Sequence, residues 1–164
     1  MVCVPAVNLT DGSGNQFATS GNPAFVTSTS TLTVNVAQIN GNTPDPCSTQ
    51  TKLMTPIAAQ GGLVSVLVPG VSSKKVYVCS VSLIAPIAQQ FSFIEGASSS
   101  CVGSQAAVLG GTTALSGLSV PANGGLTLGN GGASVAQTAT AANYLCLTTS
   151  LTPTVAGNLS YVQQ

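Results

Sequence analysis

Six charged side chains and five cysteines are the whole stock from which this chain could build ordinary catalysis. Lys52, Lys74 and Lys75 are balanced by Asp11, Asp45 and Glu95, so the formal net charge is zero. The chain contains no His, Arg or Trp. A Ser-His-Asp triad or a Cys-His dyad needs an imidazole to carry the proton. A paired-carboxylate site would have to gather two of three scattered acids. Metal centres draw mostly on His and clustered acids, which leaves only cysteine here. Cys3, Cys47, Cys79, Cys101 and Cys146 include no C-x-x-C pair, so a zinc knuckle is not expected. Three lysines make a poor phosphate-binding patch, and nucleic acid is not an expected partner. The inventory points to a protein with no catalytic residues, cofactor or metal of its own.

Three of the six charges fall in one stretch, KKVYVCSVSLIAPIAQQFSFIEG, residues 74–96. Lys74 and Lys75 follow a PGVSS turn and mark the entrance of a strand. Glu95 and Gly96 close the next one. All three charges are thus expected at strand ends, in reach of water. Glu95 as a lone general base lacks a visible partner. A salt bridge from Glu95 to Lys74 or Lys75 across the hairpin is a structural role, and it is worth little if exposed. Between the charges, Val76, Tyr77, Val78, Cys79, Val81, Leu83 and Ile84 place apolar side chains on both phases. That suits a central strand buried on both sides, or one that leaves its sheet for an interface. Phe91 and Phe93 share one phase.

The elements that position these residues read as strand, turn, strand, with Gly, Pro and Asn-Gly about every ten residues. From Cys47 onward the expected strands are KLMTPIA, LVSVLV, KVYVCSVSLI, QQFSFIEG, ALSGLSV, GLTL, NYLCLTT and NLSYVQ. PANGG, residues 121–125, is a tight-turn signal between two of them. QAAVLGGTTAL is the nearest approach to a helix, and its paired Gly argues against one. Number and spacing predict an all-β fold, a two-sheet sandwich of the jelly-roll type, over residues 47–164. Residues 1–46 are polar and rich in Gly and Ser. They read as an extended N-terminal arm with one possible strand at 31–39 and two large apolar anchors, Phe17 and Phe25. An arm this polar buries little apolar surface of its own, so a neighbour, ahead of its own domain, is expected to hold it.

Only 4% of the residues are charged, against roughly a quarter in ordinary globular domains. A surface of Ser, Thr, Asn, Gln, Gly and Ala resists association weakly and suits a permanent place in an assembly. The 44% of hydrophobic residues suffices for a core and argues against disorder beyond the arm. No secretory signal or membrane-spanning segment is expected, because the longest apolar runs are short and broken by Pro or Ser. The sequons at Asn8 and Asn158 read as chance without secretion. The odd cysteine count leaves one over, most naturally Cys3. The other four allow three pairings, which spacing does not rank. Cytosolic synthesis disfavours disulfides, although a particle released from the cell could oxidise later.

The ordered segments VYVCSVSL, FSFIEGASSSCVG, ALSGLSVPANGG, NYLCLTTS and VAGNLSYVQ resemble a family of small β-rich structural proteins of tailed phages. The matching signals are Tyr77-Val78-Cys79, Gly96 with Cys101, Leu145-Cys146-Leu147, Gly157 to Tyr161, and Pro46-Cys47 upstream. The resemblance spans residues 47–164. It implies a non-enzymatic virion protein, most simply a capsid decoration or cement protein with a jelly-roll fold. Such a protein is made in the host cytoplasm and sits on the outer surface of the capsid. It bridges and stabilises major capsid protein subunits, pairs with itself as dimer or trimer, and contacts neither nucleic acid nor membrane. Phe17 and Phe25 are the candidate arm anchors for capsid contact. The cysteines are the most distinctive positions of the resemblance. Mid-strand places for Cys79 and Cys146, and loop places for Cys47 and Cys101, favour the pairs Cys79–Cys146 and Cys47–Cys101. The alternative function is a receptor- or glycan-binding module of a tail or fibre, for which the lack of Trp and the three Tyr offer little aromatic platform.

Overall fold

A computed structural model describes residues 44–59, 64–101, 104–151 and 155–164 of the chain. The expected arm, with its possible strand at 31–39, Cys3, Phe17 and Phe25, lies outside the described residues. The described residues form one short helix, α1 (Pro46–Thr49), and ten strands. These are β1 (Leu53–Ala59), β2 (Val64–Val68), β3 (Val76–Ala85), β4 (Gln89–Gly96), β5 (Ala106–Leu109), β6 (Leu118–Val120), β7 (Gly124–Leu128), β8 (Ala136–Gln137), β9 (Tyr144–Thr149) and β10 (Val155–Gln163). A single 3-10 turn, Ala114–Ser116, precedes β6.

The strands form two five-stranded antiparallel sheets. The first runs β1-β10-β3-β7, with β8 also paired to β3. The second runs β2-β9-β4-β5, with β6 also paired to β4. The first four strands alternate between the sheets, and β1 and β2 are partnered by β10 and β9 from the far end of the sequence. That nesting of the two ends around the middle is the strand order of a jelly roll. Eight of the ten strands fall in the stretches expected from sequence. β5 and β8 are additional. β5 lies inside QAAVLGGTTAL, where the paired Gly ends a strand of four residues. Gly110 takes a positive φ of 88° there, which an L side chain rarely adopts.

The core lies between the sheets. Phe91 and Phe93 enter it from β4, 6.1 Å apart in an edge-to-face contact. Leu145 and Leu147 enter from β9, and Val155 and Leu159 from β10. Truncating either buried Phe to Ala costs about 3–5 kcal/mol in cores of this kind. β3 is the central strand of its sheet, and a β-bulge accounts for its apolar residues on both phases. Val76 and Val78 point into the core, as do Val81, Leu83 and Ala85. The step from 78 to 81 is odd. On the partner strand Tyr161 pairs with Val78 and Ser160 with Ser80, which leaves Cys79 as the extra residue. The bulge flips the phase of everything after it.

Candidate interaction surface

The structure spends the few reactive side chains on architecture. Asp45 is the N-cap of α1, followed by Pro46 at the first helical position. Its Oδ1 accepts from Cys47 N at 2.8 Å. The same carboxylate receives Ser134 N at 3.1 Å and the Ser134 hydroxyl at 2.5 Å. Burial works to raise the pKa of Asp45, but the Ser134 hydroxyl and the N–H groups of Ser134 and Cys47 outweigh it and hold the carboxyl below its usual range. Asp45 therefore ties α1 to the loop between β7 and β8.

Glu95 departs from expectation. The strand pattern predicts a strand end in reach of water, and the residue is 1% exposed. It shares the inward phase of Phe91 and Phe93, so its side chain enters the end of the sandwich. Its oxygens accept from Ala139 N at 2.6 Å, Thr140 N at 3.3 Å and Asn143 Nδ2 at 3.2 Å. These donors belong to the connection that crosses from β8 to β9. They, and not Lys74 or Lys75, are its partners. Neighbouring bonds fix the same connection to β3 and its approach: Thr138 exchanges bonds with Val76, and Ala142 N donates to Lys74 O. Lys74 is exposed.

The four domain cysteines form two disulfides, with pairings that differ from those favoured above. Cys47 joins Cys79, and Cys101 joins Cys146. The expected Cys79–Cys146 and Cys47–Cys101 pairs fail because Cys79 and Cys146 sit on different sheets and the core separates them. Cys146 alternates with Leu145 and Leu147, which point inward, so it faces the outward side of the second sheet. There it packs with Ile94, Tyr144 and Cys101. Cys101 reaches it because the loop after β4 doubles back against Gly96, where a Cβ would lie 2.7 Å from the Cys101 backbone. Cys79, the bulge residue, packs with Cys47, Val162 and Tyr77 in a separate cluster beneath α1. Among the described residues no group of three His, Cys, Asp or Glu could hold a metal ion. Among them, too, no helix is long and apolar enough to cross a membrane.

What remains for recognition is the outward face of the first sheet. Two rows of residues run across all four main strands in register. One is Pro56, Asn158, Ser82 and Thr127, and the other is Ala58, Ala156, Ile84 and Gly125. All eight are exposed. None is charged, and only Ile84, 62% exposed, is both large and apolar. Pro56 sits on β1, an edge strand, where its missing N–H costs no ladder bond. Gly157 lets β10 run close to β3 beside this face, since a Cβ there would lie 2.0 Å from Ser82 O. A cleft of about 410 Å³ opens at one end, between Ile84, Pro86, Asn123 and Ala156. The face was not singled out from sequence, although the absence of charge from strands β1, β7 and β10 was there to be read.

Compared with known proteins, the chain matches no family model, no curated protein and no solved structure.

Proposed function

We propose that this protein is a non-enzymatic structural component of a phage virion, a capsid decoration protein that bridges and stabilises major capsid protein subunits from the outer surface of the shell. The observation that carries the reading is the uncharged, small-residue face across β1, β10, β3 and β7. Surfaces of soluble proteins normally carry charge of both signs to stay apart. A face of Pro, Ala, Ser, Thr, Asn and Gly around one exposed Ile has little side-chain entropy to lose and no charge to desolvate when another surface covers it. Four strands about 4.8 Å apart and about five residues long present on the order of 300 Å². That is well short of about 800 Å² per partner in a standard stable complex. A contact of that size holds by repetition in a symmetric array, alongside copies of itself, better than as an isolated dimer. The two disulfides suit a particle that leaves the reducing cytosol. The phage resemblance in the cysteine-bearing segments supports the same reading.

The alternative, a receptor- or glycan-binding module, would use the hydroxyls of Ser82 and Thr127. It gains no aromatic platform there: Tyr77 and Tyr144 pack beside the disulfides and Tyr161 against the core.

Quantitative mass spectrometry of purified particles, with Ser82→Lys as a paired variant, tests the proposal. A copy number near that of the shell protein is expected. A copy number far below it favours the tail or fibre module, and absence from particles removes the virion reading. Ser82→Lys puts a charge in the middle of the face at an exposed site, so it should leave the domain folded and release it from the shell.

A further inference from the structure

A second site lies in the other sheet, away from the uncharged face. Where β4 begins and β6 ends, a cleft of about 390 Å³ is lined by Gln89, Gln90, Leu115, Val120, Ser150 and Leu151. Gln89 is only 5% exposed, and neither its Nε2 nor its Oε1 has a hydrogen-bond partner. It is the one residue among those described whose buried side-chain polar atoms are left in that state. A buried amide that gives up its hydrogen bonds to water costs free energy until something else supplies them. Around it the rim is apolar and open: Leu115 is 76% exposed and Leu151 is 45% exposed. No charged side chain lines the cleft. β6, which supplies Val120, pairs only with β4 among the described strands, so its other edge has no ladder partner among them.

We propose that this cleft binds an extended peptide segment carrying an apolar side chain, with the Gln89 amide taking the main-chain N–H and C=O of one of its residues. The fit is chemical. In an extended chain the N–H and C=O of one residue point to the same side. A primary amide offers one acceptor and a donor in the matching fork. A carboxylate or an ammonium satisfies at most half of it, and a lone hydroxyl, which can both donate and accept, brings no apolar group for the rim. Leu115 and Leu151 then cover the apolar side chain. Binding requires the Gln89 side chain to turn toward the cleft it already lines, and the exposed Leu115 to move aside, without displacement of a strand. This is a peptide-recognition mode that combines edge access with an apolar pocket, and it does not depend on the virion reading.

The test uses the full chain, isotopically labelled, titrated with the capped peptide Ser-Thr-Leu-Thr-Ser and two controls. One control replaces Leu by Ser, and the other carries an N-methyl group on the Leu nitrogen. The Leu peptide is expected to shift the Gln89 side-chain NH₂ resonances, and each control to bind about tenfold more weakly, the loss of one good contact. Leu115→Ser, at an exposed position, should weaken the Leu peptide by a similar factor with the fold intact. Gln89→Leu should raise the Tm of the free protein, because it removes an unpaired buried amide, and abolish discrimination against the N-methyl peptide. Absence of any shift at millimolar peptide would overturn the proposal. So would a lower Tm for Gln89→Leu, which would mean that internal water already satisfies the amide. Neither result touches the uncharged face, which lies on the other sheet.

Discussion

Each sheet pairs a disulfide on its outward side with a carboxylate that accepts from the backbone of a distant loop, yet the two arrangements differ in depth. On the first sheet, Asp45 is half-buried and caps a helix of four residues. The helix is tied down by Cys47–Cys79, and Asp45 reaches across to Ser134. On the second, Cys101–Cys146 pins the loop after β4, while Glu95 on β4 turns inward to hold the β8–β9 crossing. Water can replace much of what Asp45 provides. It cannot easily reach Glu95. Burial raises the stakes of a polar network in both directions, because the same low dielectric that strengthens each bond penalises each missing one. The shallow arrangement is a fastening on the outside of the sandwich. The deep one closes its end.

The disulfides offer the strongest way to break that comparison. Chain entropy assigns each about 4 kcal/mol, for sequence separations of 32 and 45 residues. The two figures are nearly equal, so any measured gap between Cys47→Ala with Cys79→Ala and Cys101→Ala with Cys146→Ala reports the folded side of the balance. The second pair is expected to cost more, since both disulfides pack on one aliphatic residue and one Tyr but only here does the loop also press against a strand, at Gly96. Urea unfolding of both double variants checks this. Equal losses would make the disulfides interchangeable staples.

Glu95 comes next. Glu95→Ala strands the N–H groups of Ala139 and Thr140 and the Asn143 amide, and should cost about 3 kcal/mol at roughly 1 kcal/mol or more for each lost partner. Glu95→Gln keeps one acceptor and should cost about half as much. Hydrogen exchange at Ala139 and Thr140 should quicken in both variants ahead of the core strands. If the β8–β9 crossing kept its protection, Glu95 would not be what holds it.

How much of this was open to reading before any fold was known follows from the range over which each feature is encoded. The shared phase of Phe91 and Phe93 is local and legible, and the structure turns that phase into the core. The two-phase pattern of β3 is also local, but its cause is not: the bulge at Cys79 is set by the register of β10, some eighty residues later in the chain. Burial on both faces holds for the first half of the strand, where Tyr77 and Cys79 pack with Cys47 and Val162, and not for the second, where Ser82 and Ile84 are exposed. The disulfide pairing failed for want of the same long-range information. Which side of a sheet Cys146 faces is visible from Leu145 and Leu147, but which sheet it belongs to is not. Glu95 looked like a solvated strand end because its three donors come from residues 139–143, with no charge among them to announce a partner. The uncharged face emerges only when four strands are laid in register, though the shortage of charge that makes it possible is plain in the composition.

The smallest effect sharpens the shallow side. Asp45→Ala removes the cap and the Ser134 contacts together and should cost about 1 kcal/mol, within the range for lost N-caps. Asp45→Asn retains an acceptor for Cys47 N and loses the second oxygen that Ser134 uses, so it should fall between wild type and Ala. The pH dependence separates the charge from the cap. Asp45 is held below its usual range in the folded protein, so its contribution is complete above the unfolded value of about 3.9. It is lost as pH falls through the folded value. Wild type should therefore lose stability on acidification in a step that Asp45→Asn lacks, and the two proteins should converge at low pH. Urea midpoints between pH 2 and 6 would show it. Parallel curves would mean that Asp45 acts through its geometry alone, and the shallow fastening would then owe nothing to charge.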